Sequence, residues 1–183
     1  NFDFTFPMRL LKSNITVSTN AGFTRAPGMI NDQLNFSNTL NLGGGINIAS
    51  NFSQNVDFTL FSRPQFNNVK NNVQTNANNK YFALLSGARL NFIIAKNWVI
   101  NTDISHYLND GLSSSINSNF VLWNAAIAYK FLKNYAGEVR LQAFDILKSN
   151  RAISRTYSDS YFEDTSSNVL TQYFMLIASY RIN

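Results

Sequence analysis

Cysteine is missing altogether from this 183-residue chain, which removes disulfides and thiolate metal sites and says little about compartment. Charge is scarce: 14% of residues are Asp, Glu, Lys or Arg, against roughly 25% in soluble proteins. No apolar run approaches the roughly 18 residues that a membrane-crossing helix needs. The opening NFDFTFPMRL has neither the basic start nor the apolar stretch of a secretory leader. His106 is the single histidine, so any His-dependent catalysis would have to use it, and no GxSxG elbow accompanies it. The net charge is +5, but residues such as Arg9, Arg25, Arg63, Lys70, Lys80, Arg89 and Arg140 are scattered and form no stripe, which argues against a nucleic-acid partner.

Aromatic and neutral polar residues take the place of charge. Aromatics make up 14% of the chain, with 16 Phe and 8 Tyr, while Asn, Ser, Thr and Gln hold the mean hydropathy at −0.15. Their order is regular. In LNFSNTLNLGGGINIAS, residues 34–50, Leu34, Phe36, Leu40, Leu42, Ile46 and Ile48 share one parity, and Asn35, Ser37, Thr39, Asn41 and Asn47 share the other. Successive side chains on a strand point to opposite faces, so the segment has one apolar side and one wet side. The same alternation recurs in stretches beginning at Phe2, Ile15, Val56, Phe82, Trp98, Val121, Val139 and Phe174. No helical stripe competes with it. The chain is expected to be all-β, with about nine strands.

Connections between these stretches are expected to alternate in length. Tight ones fall at Lys12-Ser13, residues 50–54, Lys96-Asn97 and Lys133-Asn134, and long polar ones over 26–33, 67–79, 109–118 and 148–168. Short turns on one side and long loops on the other are the arrangement of an antiparallel transmembrane β-barrel in the outer membrane. The wet face agrees. A water-soluble sheet carries Lys and Glu on its outward side, whereas this one carries Asn, Ser, Thr and Gly, which suit a water-filled or plugged lumen. The apolar face would then meet lipid directly. Trp98, Tyr129, Phe131 and Tyr180 fall near strand ends on the short-turn side, where an interfacial aromatic girdle is expected. Pro7 and Pro64 interrupt strand-like runs and call for a bulge or a strand end beyond the bilayer.

Counted back from a periplasmic carboxy end, nine strands put the start of the first one outside the cell. Bacterial single-chain barrels have even strand numbers, so residues 1–183 are expected to be one barrel segment, the carboxy-terminal part of a wider barrel.

The end of the chain carries further order. AFDILKSN (143–150), ISRTYSDSYFED (153–164) and SNVLTQYFML running into the last strand resemble the closing segment of TonB-dependent, transporter-like outer-membrane barrels typical of Bacteroidota. The resemblance implies a barrel of about 22 strands, with a plug domain and a TonB-contacting peptide upstream, acting as an importer of siderophores, vitamins, peptides or glycans. It implies as partners the TonB complex, a surface lipoprotein and the barrel-assembly machinery, the last reading Tyr180 and Ile182 in the final strand. The chain departs from the pattern in ending Ile182-Asn183 rather than on an aromatic residue. Two other roles stay open: a structural or docking barrel without transport, and a stand-alone barrel of 8–10 strands within the known size range.

Other chemistry finds less support. Gly43-Gly44-Gly45 lacks the spacing of a phosphate loop. Asp159, Glu163 and Asp164 could hold Ca²⁺, although a solvated loop explains them as well. Arg25, Lys70 and Lys80 lie where lipopolysaccharide phosphates could be met. Neither an enzyme activity nor a cofactor is expected.

Overall fold

The computed structural model describes residues 1–9, 12–111, 119–157, 162–167 and 169–182. Nine strands form one antiparallel sheet: β1 (Phe2–Met8), β2 (Ser13–Ile30), β3 (Gln33–Ser53), β4 (Val56–Asn71), β5 (Asn79–Ile94), β6 (Trp98–Asp110), β7 (Asn119–Phe131), β8 (Gly137–Phe144) and β11 (Tyr173–Tyr180). A separate two-stranded hairpin, β9 (Ala152–Tyr157) with β10 (Phe162–Ser167), stands within the connection from β8 to β11. Each sheet strand pairs with its neighbours in chain order, and β11 joins β8. The sheet is not closed: β1 and β11 are its two edges.

Register turns the separate alternations into two continuous faces, because paired residues share a side. Ile15 pairs with Ile48, Ile48 with Leu60, Leu60 with Ala88, Ala88 with Ile104 and Ile104 with Trp123. Ile127 pairs with Leu141 and Leu141 with Leu176. One face of the sheet is therefore apolar from edge to edge, and these side chains are exposed: Phe23 by 68%, Ile46 by 50% and Leu176 by 72%. Nine strands about 4.8 Å apart, over a band about 25 Å tall, make an area on the order of 1,000 Å². Soluble monomers rarely expose a contiguous apolar patch beyond about 300–600 Å². The buried apolar residues among those described, Phe61, Val99, Phe120, Ala126 and Ala128, all lie on the opposite face. Among the described residues no hydrophobic core between layers stabilises this sheet in water.

Several expectations are corrected. Residues 26–33 are not a polar loop. β2 continues through Ile30, β3 begins at Gln33, and the turn is Asn31-Asp32 with φ of 49° and 60°. Two left-handed residues give the turn whose twist matches a hairpin, and Asn and Asp tolerate that conformation. One loop-side connection is therefore as tight as the turns at the other end, and the alternation in loop length has this exception. The 148–168 segment contains the β9–β10 hairpin rather than loop alone. The last strand stops at Tyr180 and leaves Ile182 beyond it. Three sheet strands are short: β1 has 7 residues and β8 and β11 have 8 each.

Pro64 sits where the β3–β4 ladder lapses. Pairing runs to Gly43–Gln65 and resumes at Ile46–Ser62 with the register unchanged, so the missing N–H interrupts the ladder without a bulge. Gly44 lies against the ring, its Cβ position 3.9 Å from Pro64 Cγ. The glycine triplet makes room on the other face too. A Cβ on Gly43 would collide with Asn20 Oδ1, and one on Gly45 would lie 2.6 Å from Ser18 Oγ. Close approach of side chains explains Gly43 and Gly45, whereas a Cβ on Gly44 would make only ordinary contacts.

Candidate functional site

The polar face carries the specific interactions. Asn91 Nδ2 donates to Asp57 Oδ2 at 3.1 Å, Asn101 Nδ2 to Asn91 Oδ1 at 2.6 Å, and Arg140 Nη1 to Asn101 Oδ1 at 3.3 Å. Arg140 also holds Glu138 in an ion pair, with Nη2 3.0 Å from Oε1. This chain of bonds runs from β4 to β8 and passes over β7, where Ala126 pairs with Asn101 and Ala128 with Arg140. Small side chains on β7 leave space for the arginine to reach across. Arg89, Asp57, Thr59 and Asp103 join Asn91 and Asn101 in lining a depression of about 500 Å³ beside the network.

Phe61 is the apolar centre of this face. It is 8% exposed, pairs with Gly87 and has the Arg63 and Arg89 guanidinium carbons at 5.2 and 5.6 Å from its ring centroid. Toward the long-loop end the same face becomes aromatic. Tyr107 stacks on Phe120 at 4.8 Å and Phe144 on Tyr173 at 4.4 Å, while Tyr81 Oη donates to Asn109 Oδ1 at 2.6 Å. This arc is not visible in the sequence because its members come from five strands, and only the register brings them to one side.

The loop end is held by amides and a carboxylate. Asn35 Nδ2 donates to Asn71 Oδ1 at 3.0 Å, and Asn35 Oδ1 accepts from Val73 N at 3.0 Å, which ties the β4–β5 connection to β3. Asp145, 2% exposed, accepts from the backbone N of Ser149 at 2.8 Å and of Asn150 at 3.0 Å. Its own N donates to Asn124 Oδ1 at 2.9 Å. The AFDILKSN segment is thus a structural corner, in which one carboxylate closes the chain's exit from β8.

Trp98, Tyr129, Phe131 and Tyr180 fall on the apolar face at the short-turn end. The Trp98 and Tyr129 rings are 4.8 Å apart, Tyr129 and Phe131 stack at 6.4 Å, and Phe131 and Tyr180 both pair with Gly137. Tyr180 is brought to the same rung and Ile182 is not. His106 lies on the apolar face, its Nε2 2.7 Å from Asn119 Oδ1. Glu163 and Asp164 are on β10, Asp159 lies outside the described residues, and no acidic or His cluster fit for a metal occurs among the described residues.

No helix among the described residues is long and apolar enough to cross a membrane, and the sheet presents an exposed apolar side and an amide-rich side. The outer membrane protein beta-barrel family matches residues 9–180. The chain belongs to that family. A search of curated proteins and one of solved structures gave no match. As a member of an outer-membrane barrel family the chain resides in the outer membrane, with its apolar face to lipid and its Asn-rich face to the lumen.

Proposed function

We propose that this chain forms wall strands and external loops of a TonB-dependent, solute-importing barrel of the Bacteroidota type, and that it has no catalytic activity of its own. The observation that carries the reading is the direction of the two edges. In an up-and-down sheet of nine strands β1 and β11 run the same way, so they cannot close on each other as an antiparallel pair. Unpaired edge groups are too costly to leave in hydrocarbon. An odd number of further strands between them completes an antiparallel ring wider than nine strands, wide enough for a plugged or water-filled lumen. The small amide side chains of the inner face, the aromatic arc at the outer mouth and the carboxy-terminal resemblance support the same reading.

On this proposal Trp98, Tyr129, Phe131 and Tyr180 form the periplasmic girdle. Tyr180 with Ile182 is read by the barrel-assembly machinery, and the TonB complex and a surface lipoprotein are partners. A docking barrel without transport is the second reading. It is favoured by the tip of the β2–β3 hairpin, where Met29 and Leu34 are 66% and 51% exposed beyond the span that a bilayer covers. Solute uptake by cells with and without the protein separates the two. Import predicts uptake that is lost both when the protein is deleted and when the membrane is de-energised. Unchanged uptake with a disturbed envelope assembly supports docking.

A further inference from the structure

We propose that the lipid-facing rim of β2–β5 binds the phosphates of an outer-leaflet glycolipid through Arg25, Lys70 and Lys80. The inference rests on the apolar face meeting lipid and is independent of transport. Along the sequence these cations are 55 residues apart from first to last, but register gathers them. Arg25 pairs with Asn38 and Asn38 with Lys70, while Lys80 pairs with Asn68, one rung below Lys70 on the same face. Arg25 and Lys70 are thus two strands apart, about 10 Å, and Lys70 and Lys80 are diagonal neighbours at about 7–8 Å.

Their height fits a headgroup. Arg25 lies about 12 residues along β2 from Ser13, or roughly 28 Å at the usual rise and tilt, just past a band about 25 Å tall. The apolar series is interrupted at this level: Phe23 is followed by Arg25, Phe66 by Asn68 and Lys70, and Phe82 is preceded by Lys80, while on β2 and β3 it resumes farther out with Met29, Leu34 and Phe36.

The chemistry is that of an anion site. All three cations are exposed, and none has a carboxylate within ion-pair distance among the described residues. Among the described residues the acid at this level on the face is Asp110, which pairs with Phe82, diagonal to Lys80, and accepts from Gly111 N at 2.9 Å. Arg25 is fixed by the Phe36 ring, 4.1 Å from its guanidinium carbon, which pre-sets a planar donor for phosphate. Asn38 and Asn68 stand between the cations and add amide donors.

The test titrates the full-length protein in mild detergent with three probes: a diphosphorylated glycolipid, the same glycolipid without its phosphates, and inorganic phosphate. A cation near a membrane surface is worth about fivefold in affinity and three on the order of a hundredfold. Removing the phosphates and the R25Q/K70Q/K80Q substitution should each weaken binding by that factor, while K96Q/K130Q/K133Q, which removes three charges at the other end, leaves it unchanged. The proposal fails if the rim variant keeps the parent affinity, if both variants lose it equally, or if inorganic phosphate binds as well as the lipid. Should the triple variant not fold, K70Q and K80Q singly carry the test at about fivefold each. Heat-modifiable migration of the parent, scored in parallel, tests the barrel separately from the site.

Discussion

Phe61 on β4 lies over Gly87 on β5 so closely that a Cβ at position 87 would meet Phe61 Cζ at 2.6 Å and the Ile104 carbonyl oxygen at 2.5 Å. The ring is held on the lumen side with Arg63 and Arg89 nearby, and glycine opposite it is a space requirement. Gly87→Val should cost about 1–3 kcal/mol, the usual penalty of overpacking, read as a lowered urea midpoint in detergent. Gly28→Val, where nothing lies within 4 Å of the added carbon, should leave the midpoint in place. Adding Phe61→Ala to Gly87→Val should recover part of the loss.

Asn35 and Asn71 make a second, external lock. Asn35→Ala removes the donor to Asn71 Oδ1 and the acceptor of Val73 N–H at a site where Asn35 is 2% exposed. The expected cost is about 1–3 kcal/mol. Amide exchange over residues 72–78 should speed up, while the β5–β6 strands keep their protection.

Asp145 allows the same argument at the other external corner. Asp145→Ala leaves Ser149 N–H and Asn150 N–H without their acceptor, and charge-assisted bonds of this kind are worth about 1.5–3 kcal/mol. Limited proteolysis should cut the variant within 146–172 at protease levels that leave the parent whole. Equal resistance would show that the corner is held by something else.

How much of this was legible before the structure follows from the physics of strands. Period-two alternation is a local property, so nine sheet strands and their apolar sides follow from residues such as Leu34, Phe82 and Trp123, and the register joins them in one parity except at the short-turn end of β3–β4, where a shift after Ser50 sets Ser53 opposite Val56. Pro27 and Gly28 favour a loop by propensity, but they lie on β2, paired with Phe36 and Asn35, where the ladder outweighs local preference. The β9–β10 hairpin is hard to see in the sequence because each strand has only six residues and too few apolar positions for a sustained alternation. Gathering by register is what a single strand cannot show: the aromatic arc from Tyr81 to Tyr173, the Asp57-to-Arg140 chain and the cations of the rim all depend on which strand lies beside which. The role of AFDILKSN as a corner depends on where the Asp145 carboxylate points, which spacing alone does not encode.

The two faces predict opposite tolerance at neighbouring positions. Ile46, on the lipid side and 50% exposed, should lose about 2–4 kcal/mol on substitution by Arg, the depth-dependent cost of a charge facing the bilayer interior. Asn47, one residue away on the lumen side and paired with Thr16 and Phe61, should accept Arg with little loss. Folding yield into lipid vesicles, scored by heat-modifiable migration, measures both.

The absence of cysteine permits the most direct measurement, a single-cysteine scan along β3 from position 40 to 48 in the membrane-inserted protein. Each variant is labelled with a water-soluble maleimide, and a fluorophore attached at each site is tested for quenching by a lipid-borne nitroxide. Alternation is expected: positions 40, 42, 46 and 48 quenched by lipid and protected from the aqueous reagent, positions 41 and 47 labelled from water and unquenched. Uniform labelling along the strand, or quenching at the asparagine positions in place of the apolar ones, would contradict it.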